Sequence, residues 1–539
     1  MGFGAQYSAL TWSLAIAWVF FSASALGTPQ AQTGVNSVKS ASDVSQYDFR
    51  FAIEADPISL DPARATGINE GQLVDNLYEG LVEYPAGDGE VVPGVAERWE
   101  VSADGLVYTF HLRVDARWSD GRVVSAQDFR RSWLRLLKPR NARSHRELLY
   151  IIQGAQAYGL GRSSDPNSVA IEVVSPSVLR VVLASPAPYF LELCAFSALR
   201  PVAEGQEESA FGPQESGRLV TNGPYRLESW RAGERLTLSK NLRYWGHERV
   251  RLSWVSIEPV KDNDDVVRRY LSGRLDWTGT VDLPVDSVKE LARREDYRES
   301  PSYGTYYLRL NTQNSALADN RVRRALTLSV DRQSISSLVS GGVRPAAGFV
   351  PPTKEYKGGD GRLEWTPKAA RTLWGEARGG DVANSLTLLI NDQPNHRHIA
   401  RHLVADWKRV LGVTVRIDAV PWPEYLRRIN AGKFQMARAG WLGDYQDPMT
   451  FLELWGRGHT HNTTRWFDRE YTGLLEKARR AKGPAARATL LTEAESILLK
   501  RGPVVPLFFY ARSSLLSPRV RGFVSNRLGH HLLKYLAVE

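Results

Sequence analysis

The sequence predicts an α/β protein with at least two α/β lobes. Three observations support this prediction: the length of the chain, a strand–helix–strand run near residue 400, and paired strand patterns earlier in the chain. With 539 residues, 43% of them hydrophobic, the chain is too long for one core and too apolar to be disordered. We therefore expect two or three domains.

Alternating apolar residues between turn signals predict strands, most of them in pairs. Asp104-Gly105 separates one such pair, and Ser175-Pro176-Ser177 separates another. The predicted strands of this part of the chain are residues 49–53, 99–101, 108–113, 169–174, 178–183, 224–227, 235–239 and 305–311. Three pairs of this set are expected to form hairpins: 99–101 with 108–113, 169–174 with 178–183, and 224–227 with 235–239.

Helices are predicted where apolar residues recur every three or four positions. Leu73, Leu77 and Leu81 indicate a helix over residues 70–81. Ser125, three residues before Asp128, would cap a helix over residues 127–137, and residues 321–328 begin another.

A strand–helix–strand run follows in the second half of the chain. Residues 386–390 form the first predicted strand, and the helix after it buries apolar residues spaced from Ile399 to Leu411. Gly412 would end that helix before a strand at 413–417. This order favours an α/β lobe with parallel pairing.

The first 25 residues predict a cleaved signal peptide. Residues 9–21 are apolar and precede Ser22-Ala23-Ser24-Ala25, and residues 26–46 are expected to be a flexible lead-in. The first basic residue is Lys39, so a retained membrane anchor stays open as an alternative. Because the only cysteine is Cys194, we expect neither lipid attachment nor an intramolecular disulfide. A soluble periplasmic protein is expected.

The net charge of +10 does not predict nucleic-acid binding, because basic residues are spread along the chain among acidic ones. Hydrolase, nucleotide-binding and metalloprotease motifs are missing from the sequence. Cys194 lies in an apolar run and is expected in the core, and the pairs His396/His398 and His459/His461 favour surface histidines over a metal site. We predict no catalytic residues, no metal and no cofactor.

Residues 436–448 carry a guanidinium and a carboxylate around a Trp. In an extended strand Arg438 and Asp444 point to the same face. A carboxylate binds an ammonium and a guanidinium grips a carboxylate, so the pair could hold both ends of a zwitterion such as a peptide. The alternative is a structural ion pair between the two side chains.

Several blocks, taken together and in order, resemble one family: the extracytoplasmic solute-binding proteins of peptide ABC importers, of the oligopeptide and dipeptide type. The resemblance extends from about Phe49 to the C-terminus. Besides residues 436–448, the matching blocks include residues 59–62, 76–81, 93–99, 118–121, 221–225 and 320–326.

The resemblance implies a periplasmic binding protein-like fold of two lobes that close by a hinge, with an extra inserted domain. Domain I would combine residues 47–78, 203–303 and 512–539, with domain II at 79–202 and domain III at 304–511. Its implied ligands are short peptides, bound extended between protein strands and delivered to the transmembrane subunits of an ABC permease. A monomer is expected.

The resemblance also assigns ligand contacts position by position. Asp444 matches the carboxylate that binds the α-ammonium, and Arg438 and His396 match groups that reach the C-terminal carboxylate. The other implied contacts are Gly440, Trp441 and Leu442 on one strand, Thr66, Gly67 and Ile68 on the opposite one, and the pocket residues Tyr510, Trp422 and His145.

Departures from the family pattern leave the far end of the site open. Ser340 and Ile429 stand where the family has basic residues, and Gly304 and Leu442 replace a cysteine pair. A non-peptide solute such as a metal chelate, haem, an opine or a sugar is therefore an alternative ligand. A membrane-anchored chaperone-like or sensor-like receptor is the alternative from a different class.

Overall fold

The computed structural model describes residues 46–539 except 66, 139–144, 208–210, 285, 340, 359–362, 378–385 and 458. The described residues form three large β-sheets surrounded by helices. The described helices are Ile68–Leu77, Ala126–Leu137, Ala155–Gly159, Phe190–Ala195, Asn263–Leu271, Val288–Leu291, Asn320–Leu328, Arg332–Leu338, Pro367–Glu376, Pro394–Leu411, Trp422–Asn430, Met449–Leu452, Arg469–Arg480 and Pro484–Arg501.

The amino-terminal sheet has four strands drawn from distant parts of the chain. Its order is Phe49–Ile53, Trp254–Pro259, Arg235–Lys240 and Tyr225–Arg231. The first pair is parallel, and the other two pairs are antiparallel. The predicted hairpin of the last two strands is confirmed. Phe49 and Phe51 are fully buried, which explains the apolar alternation of the first strand.

A second four-stranded sheet, here called the hairpin sheet, is antiparallel throughout. In the sequence it lies between the strands Phe49–Ile53 and Tyr225–Arg231 of the amino-terminal sheet. Its order is Ala96–Val101, Val107–Leu112, Val178–Val182 and Ile171–Ser175. Both predicted hairpins are therefore confirmed. The helix Ala126–Leu137 begins as predicted, because the backbone N–H of Ser125 donates to the Asp128 carboxylate at 2.8 Å.

The carboxy-terminal sheet has six strands and contains the predicted strand–helix–strand run. Its order is Arg344–Pro345, Val504–Leu515, Tyr297–Leu310, Met436–Leu442, Thr387–Asn391 and Arg416–Val420. The last two strands are parallel and joined by the helix Pro394–Leu411. Gly412 ends that helix in the left-handed region (φ 72°), as predicted. The following strand begins at Arg416 rather than at the predicted Val413.

Two long strands continue past the predicted boundaries between domains I and III. Tyr297–Leu310 and Val504–Leu515 pair antiparallel from Tyr297↔Leu515 to Arg309↔Val504, with a register shift between Pro301 and Thr305. The two predicted domain boundaries, between residues 303 and 304 and between residues 511 and 512, lie at this irregularity. The domain boundaries themselves stay a prediction, with these two strands as the covalent connections between the segments.

The C-terminal segment packs back on the first helix. The Gln72 amide donates to the His531 carbonyl at 2.6 Å, and the Leu533 N–H donates to Asn76 Oδ1 at 2.7 Å. Lys534 lies 3.4 Å from the Glu79 carboxylate. The first two contacts join segments predicted to share domain I, whereas Glu79 is the first residue of predicted domain II.

Buried apolar clusters fill both faces of the carboxy-terminal sheet. One large cluster includes Phe49, Phe110, Tyr445 and Trp455, so it is continuous from the amino-terminal and hairpin sheets to one side of that sheet. A second cluster on the other side contains Leu388 and the helix residues that the periodicity predicted. Cys194 is buried as a free thiol, which confirms its predicted core position. Within the described residues, none of the helices has the length and apolar content needed to cross a bilayer.

Candidate functional site

The strand Met436–Leu442 has one open edge. On one side it pairs antiparallel with Tyr297–Leu310, from Gly304↔Leu442 to Leu310↔Met436. On the other side it pairs with Thr387–Asn391 only at Met436 and Ala437. Among the described strands, none pairs with residues 438–442 on that second side. The Tyr425 hydroxyl donates to the Arg438 carbonyl, so the backbone groups of residues 439–442 on that side are the ones available to a ligand in extended conformation.

Asp444 follows this strand and has an unpaired carboxylate. Its own backbone N–H donates to Thr450 Oγ1 at 3.3 Å, whereas its half-buried carboxylate has no hydrogen bond or ion pair with the described residues. Burial raises the pKa of Asp444 to about 7, and repulsion from Glu453 adds to the effect. A carboxylate with a raised pKa and no partner is suited to bind a cation from outside the protein.

Asp444 and Arg438 do not form an ion pair with each other, so the structural alternative predicted from the sequence is wrong. Arg438 Nε donates to Asn391 Oδ1 at 2.6 Å. Its guanidinium lies over the rings of Trp422 and Tyr425, at 5.5 and 5.3 Å from their centroids. Like Asp444, Arg438 has no oppositely charged partner in the part of the chain that the structure describes.

The far end of the site collects the predicted residues around Arg438. Trp422 begins one helix, is 50% exposed and stacks on Tyr425 with centroids 5.4 Å apart. His396 lies in the first turn of Pro394–Leu411, and its Nδ1 is 3.1 Å from the Tyr306 hydroxyl. Burial, followed by the charge of Arg438, lowers the pKa of His396 to about 4, so it is neutral at pH 7.

Gly440 is required by a close approach of Tyr510. A Cβ at position 440 would meet the Tyr510 hydroxyl and lie 3.3 Å from the ring carbon that carries it. Tyr510 is half-buried, and burial raises its pKa while Arg438 partly offsets the shift. The phenol therefore stays protonated as a hydrogen-bond donor at the strand. Gly304 and Leu442, the two positions of the missing cysteine pair, face each other in the ladder, and the Leu442 side chain covers Gly304.

The near end of the site contains Trp441 and His145. Trp441 Nε1 is 3.4 Å from Thr450 Oγ1, and the Trp441 ring packs edge-on against His461 at 5.0 Å. His145 packs against Phe196 at 5.0 Å, and its pKa is lowered to about 4 by burial first and then by His461. Trp441 and His145 are therefore both close to His461.

The opposite ligand strand predicted at Thr66, Gly67 and Ile68 is not a strand in the described residues. Thr66 lies outside the described residues. Gly67 has an extended backbone and caps the helix that Ile68 begins. Ile68 is 41% exposed and lines the same cavity as Leu442, so these two predicted residues do come together.

Sequence reasoning missed several residues that complete the site. Asn391 holds Arg438, Thr450 and Glu453 surround Asp444, and His461 covers Trp441. Each comes from a different element, and none belongs to a motif that marks it. The strand end at Asn391, beside a helix start, was the one available signal. Among the described residues there is no group of three His, Cys, Asp or Glu side chains that could hold a metal ion.

Comparison with known proteins identifies the family. The model of the bacterial extracellular solute-binding proteins, family 5 (middle region), matches residues 90–462, which is more than half of the chain. The chain belongs to this family. It is thus a relative of extracellular solute-binding components of transporters, with the two-lobed periplasmic binding fold of its structural neighbours.

Relatives of this family 5 protein carry peptide-binding names. The oligopeptide-binding protein OppA of Bacillus subtilis is 31% identical, with 95% of this chain and 96% of that protein aligned. The periplasmic murein peptide-binding protein MppA of Escherichia coli is 34% identical over 88% of this chain and 90% of its own. Its structure superposes with a TM-score of 0.78 at 33% identity, covering 91% of this chain and 98% of MppA.

A third relative was solved with a peptide. The structure of Haemophilus influenzae OppA in complex with RPPGFSPFR has a TM-score of 0.76 at 26% identity. The match covers 92% of this chain and 99% of the Haemophilus influenzae protein. The family 5 protein described here therefore shares nearly the whole fold of these binding proteins.

Proposed function

We propose that this family 5 protein captures short peptides in the cleft between its lobes and delivers them to an ABC import permease. The observation that carries the proposal is the unpaired, half-buried carboxylate of Asp444 beside an open strand edge. An extended peptide that paired with Gly440, Trp441 and Leu442 would bring its α-ammonium to this carboxylate. The peptide-binding names of the relatives support the same ligand class.

The opposite end of the peptide would meet Arg438. Two helices, Pro394–Leu411 and Trp422–Asn430, begin beside this guanidinium, and the partial positive charge of their N-termini favours an anion. His396 and Tyr510 supply neutral hydrogen-bonding groups at the same place, and Trp422 forms an apolar wall. The basic residue at position 428 is not available, because Asp418 and Glu424 already bind it at 2.7 Å.

The remaining parts of the proposal concern location and role. The family places its members outside the cytoplasm, and residues 1–25 would direct export as a cleaved signal peptide to the periplasm, without lipid attachment. The protein would act as a monomer that binds without catalysis, partnered by the permease's transmembrane subunits. The discontinuous domain I would close with domain II against domain III, and Thr66, Gly67, Ile68 and His145 would cover the near end of the peptide.

The proposal is tested on the ligand itself. Protein purified without added ligand and then denatured should release a mixture of short peptides, detected by mass spectrometry. After ligand removal, a free tetrapeptide should bind in calorimetry at least tenfold more tightly than its N-acetylated form, because acetylation removes the ammonium. Release of a single non-peptide species, together with equal binding of the two peptides, would favour the non-peptide alternative instead.

A further inference from the structure

A cavity lies beside the proposed peptide strand, on the side of the amino-terminal sheet. Ile68, Leu442 and Gly443 form the wall that it shares with the peptide site. Its other walls come from residues 277–282, the two long strands at 300–303 and 512–514, and the C-terminal segment 523–531. A side chain of a bound peptide could therefore enter it from the strand Met436–Leu442.

The wall of this cavity contains polar atoms without hydrogen-bond partners. Trp277 Nε1 and His531 Nδ1 are buried, and neither has a partner among the described residues. Trp277 is only 2% exposed. Because an unsatisfied buried polar group is unfavourable, these two lining residues favour a cavity that is filled by polar atoms from outside the protein.

Arg512 adds an unpaired positive charge to the same cavity. Its half-buried guanidinium has no hydrogen bond or ion pair with the residues that the structure describes. Burial lowers its pKa, and attraction from the exposed carboxylates of Asp282 and Glu54 only partly offsets this. By contrast, Arg487 is similarly shielded but binds Asp447 at 2.6 Å.

The pKa of His531, which also lines the cavity, is affected by the charge of Arg512. Burial, and then the charges of Arg512 and His530, lower the pKa of His531 to about 3. His531 is therefore neutral at pH 7 and does not add a second charge, while the charge of Arg512 extends into the cavity. Asp282 also lines the cavity, but it is exposed and lies at the rim.

We propose that this cavity, the Arg512 pocket, receives a carboxylate-bearing side chain of the bound peptide. A guanidinium binds a carboxylate in bidentate geometry, and the Trp277 indole N–H is a further donor among the lining residues. The carboxylate would neutralise the Arg512 guanidinium, which is partly desolvated and has no counter-ion bound to it among the described residues. This inference rests on the proposed function and narrows it to acidic peptides.

The test compares peptides that differ by one charge. Eight tetrapeptides of alanine, with Glu or Gln at each position in turn, are titrated by calorimetry into wild type, Arg512→Gln and the control Arg298→Gln. Arg298 lies on the paired strand, but it is exposed and binds only backbone carbonyls. Wild type and the control should prefer Glu to Gln at least tenfold at one position, and Arg512→Gln should lose that preference while it binds the Gln peptide within twofold of wild type.

The outcomes separate this inference from the function on which it rests. The proposal is overturned if wild type prefers the Glu peptide to the Gln peptide by less than twofold at every position, or if Arg512→Gln retains the preference. In either case water would fill the Arg512 pocket. Failure of all eight peptides to bind wild type would instead overturn the proposed function and this inference with it. If Arg512→Gln does not fold, Arg512→Lys keeps the charge without the bidentate geometry and should reduce the Glu preference severalfold, whereas an unchanged preference would contradict the proposal.

Discussion

Replacing Asp444 by Asn should weaken peptide binding and, at the same time, stabilise the unliganded protein. Burial raises the pKa of this carboxyl from 3.8 to about 7, with a smaller contribution from Glu453. The folded protein therefore holds a proton that the unfolded chain releases. Stability consequently falls as the pH rises through the window between these two values, and the loss is complete above about pH 7.

The size of this effect follows from the shift. Three pKa units correspond to about 4 kcal/mol, and because the carboxylate is only half-buried, solvent screening reduces this to roughly 2 kcal/mol. An Asn side chain has no charge to desolvate. Asp444→Asn should therefore match wild type below about pH 4 and exceed its free energy of unfolding by roughly 2 kcal/mol at pH 8.

Ligand binding should change in the opposite direction. The ammonium of a bound peptide would face an amide instead of a carboxylate, which should cost about 3 kcal/mol, or roughly a hundredfold in Kd. In wild type, affinity for a free peptide should also fall as the pH drops below about 7, because the site must first lose its proton.

Two measurements check this reasoning. Denaturant unfolding of the unliganded proteins between pH 5 and pH 8.5 gives the stability difference, and calorimetry with free and N-acetylated tetrapeptides gives the binding loss. Glu476→Gln, which removes an exposed carboxylate from the helix Arg469–Arg480, is the matched control and should change neither quantity. The reasoning is refuted if Asp444→Asn equals wild type in stability at pH 8 and binds the free peptide equally well.

Two further substitutions test the strand and the contact between lobes. Gly440→Ala should destabilise the protein by about 1–3 kcal/mol and weaken peptide binding, because the new methyl group meets the Tyr510 hydroxyl. The double variant with Tyr510→Phe should recover stability in thermal melts, and a lack of recovery would contradict this cause. Glu192→Gln should flatten the fall in melting temperature between pH 5 and pH 8. Burial and then Asp447 raise the pKa of Glu192 from 4.5 to about 8, so wild type loses stability as the pH rises between these two values; parallel pH profiles would contradict this cause.

Local patterns were sufficient to predict much of the fold. The cap at Ser125, the run from Thr387 to Val420 and the strand Met436–Leu442 each depend on residues close in sequence, whose spacing carries the signal. The helix predicted over residues 70–81 ends instead at Leu77. The backbone N–H of Glu79 binds Asn222, and that of Gly80 binds the Glu83 carboxylate, so partners beyond the helix set its end.

The candidate site was predictable only as a set of residue types. The strand geometry predicted that Arg438 and Asp444 share a face, but whether they pair depends on Asn391, Trp422 and the loop after the strand. The Arg512 pocket was not predictable, because its walls come from six segments that are distant in sequence and its defining property is a missing partner. Absence of a partner is a property of the folded chain and leaves no pattern in the sequence.

The position of Asp444 links ligand binding to the contact between lobes. The loop that carries Asp444 continues into Tyr445. The Tyr445 ring stacks on Tyr189, which precedes the helix Phe190–Ala195, with ring centroids 4.7 Å apart. Asp444 directly precedes this contact, and burial raises the pKa of its carboxyl. Without a ligand, closure must desolvate an unpaired carboxylate, whereas a bound ammonium neutralises it and gains strength from the lower dielectric. The charge that binds the peptide would therefore also make the closed state unfavourable until the peptide is present.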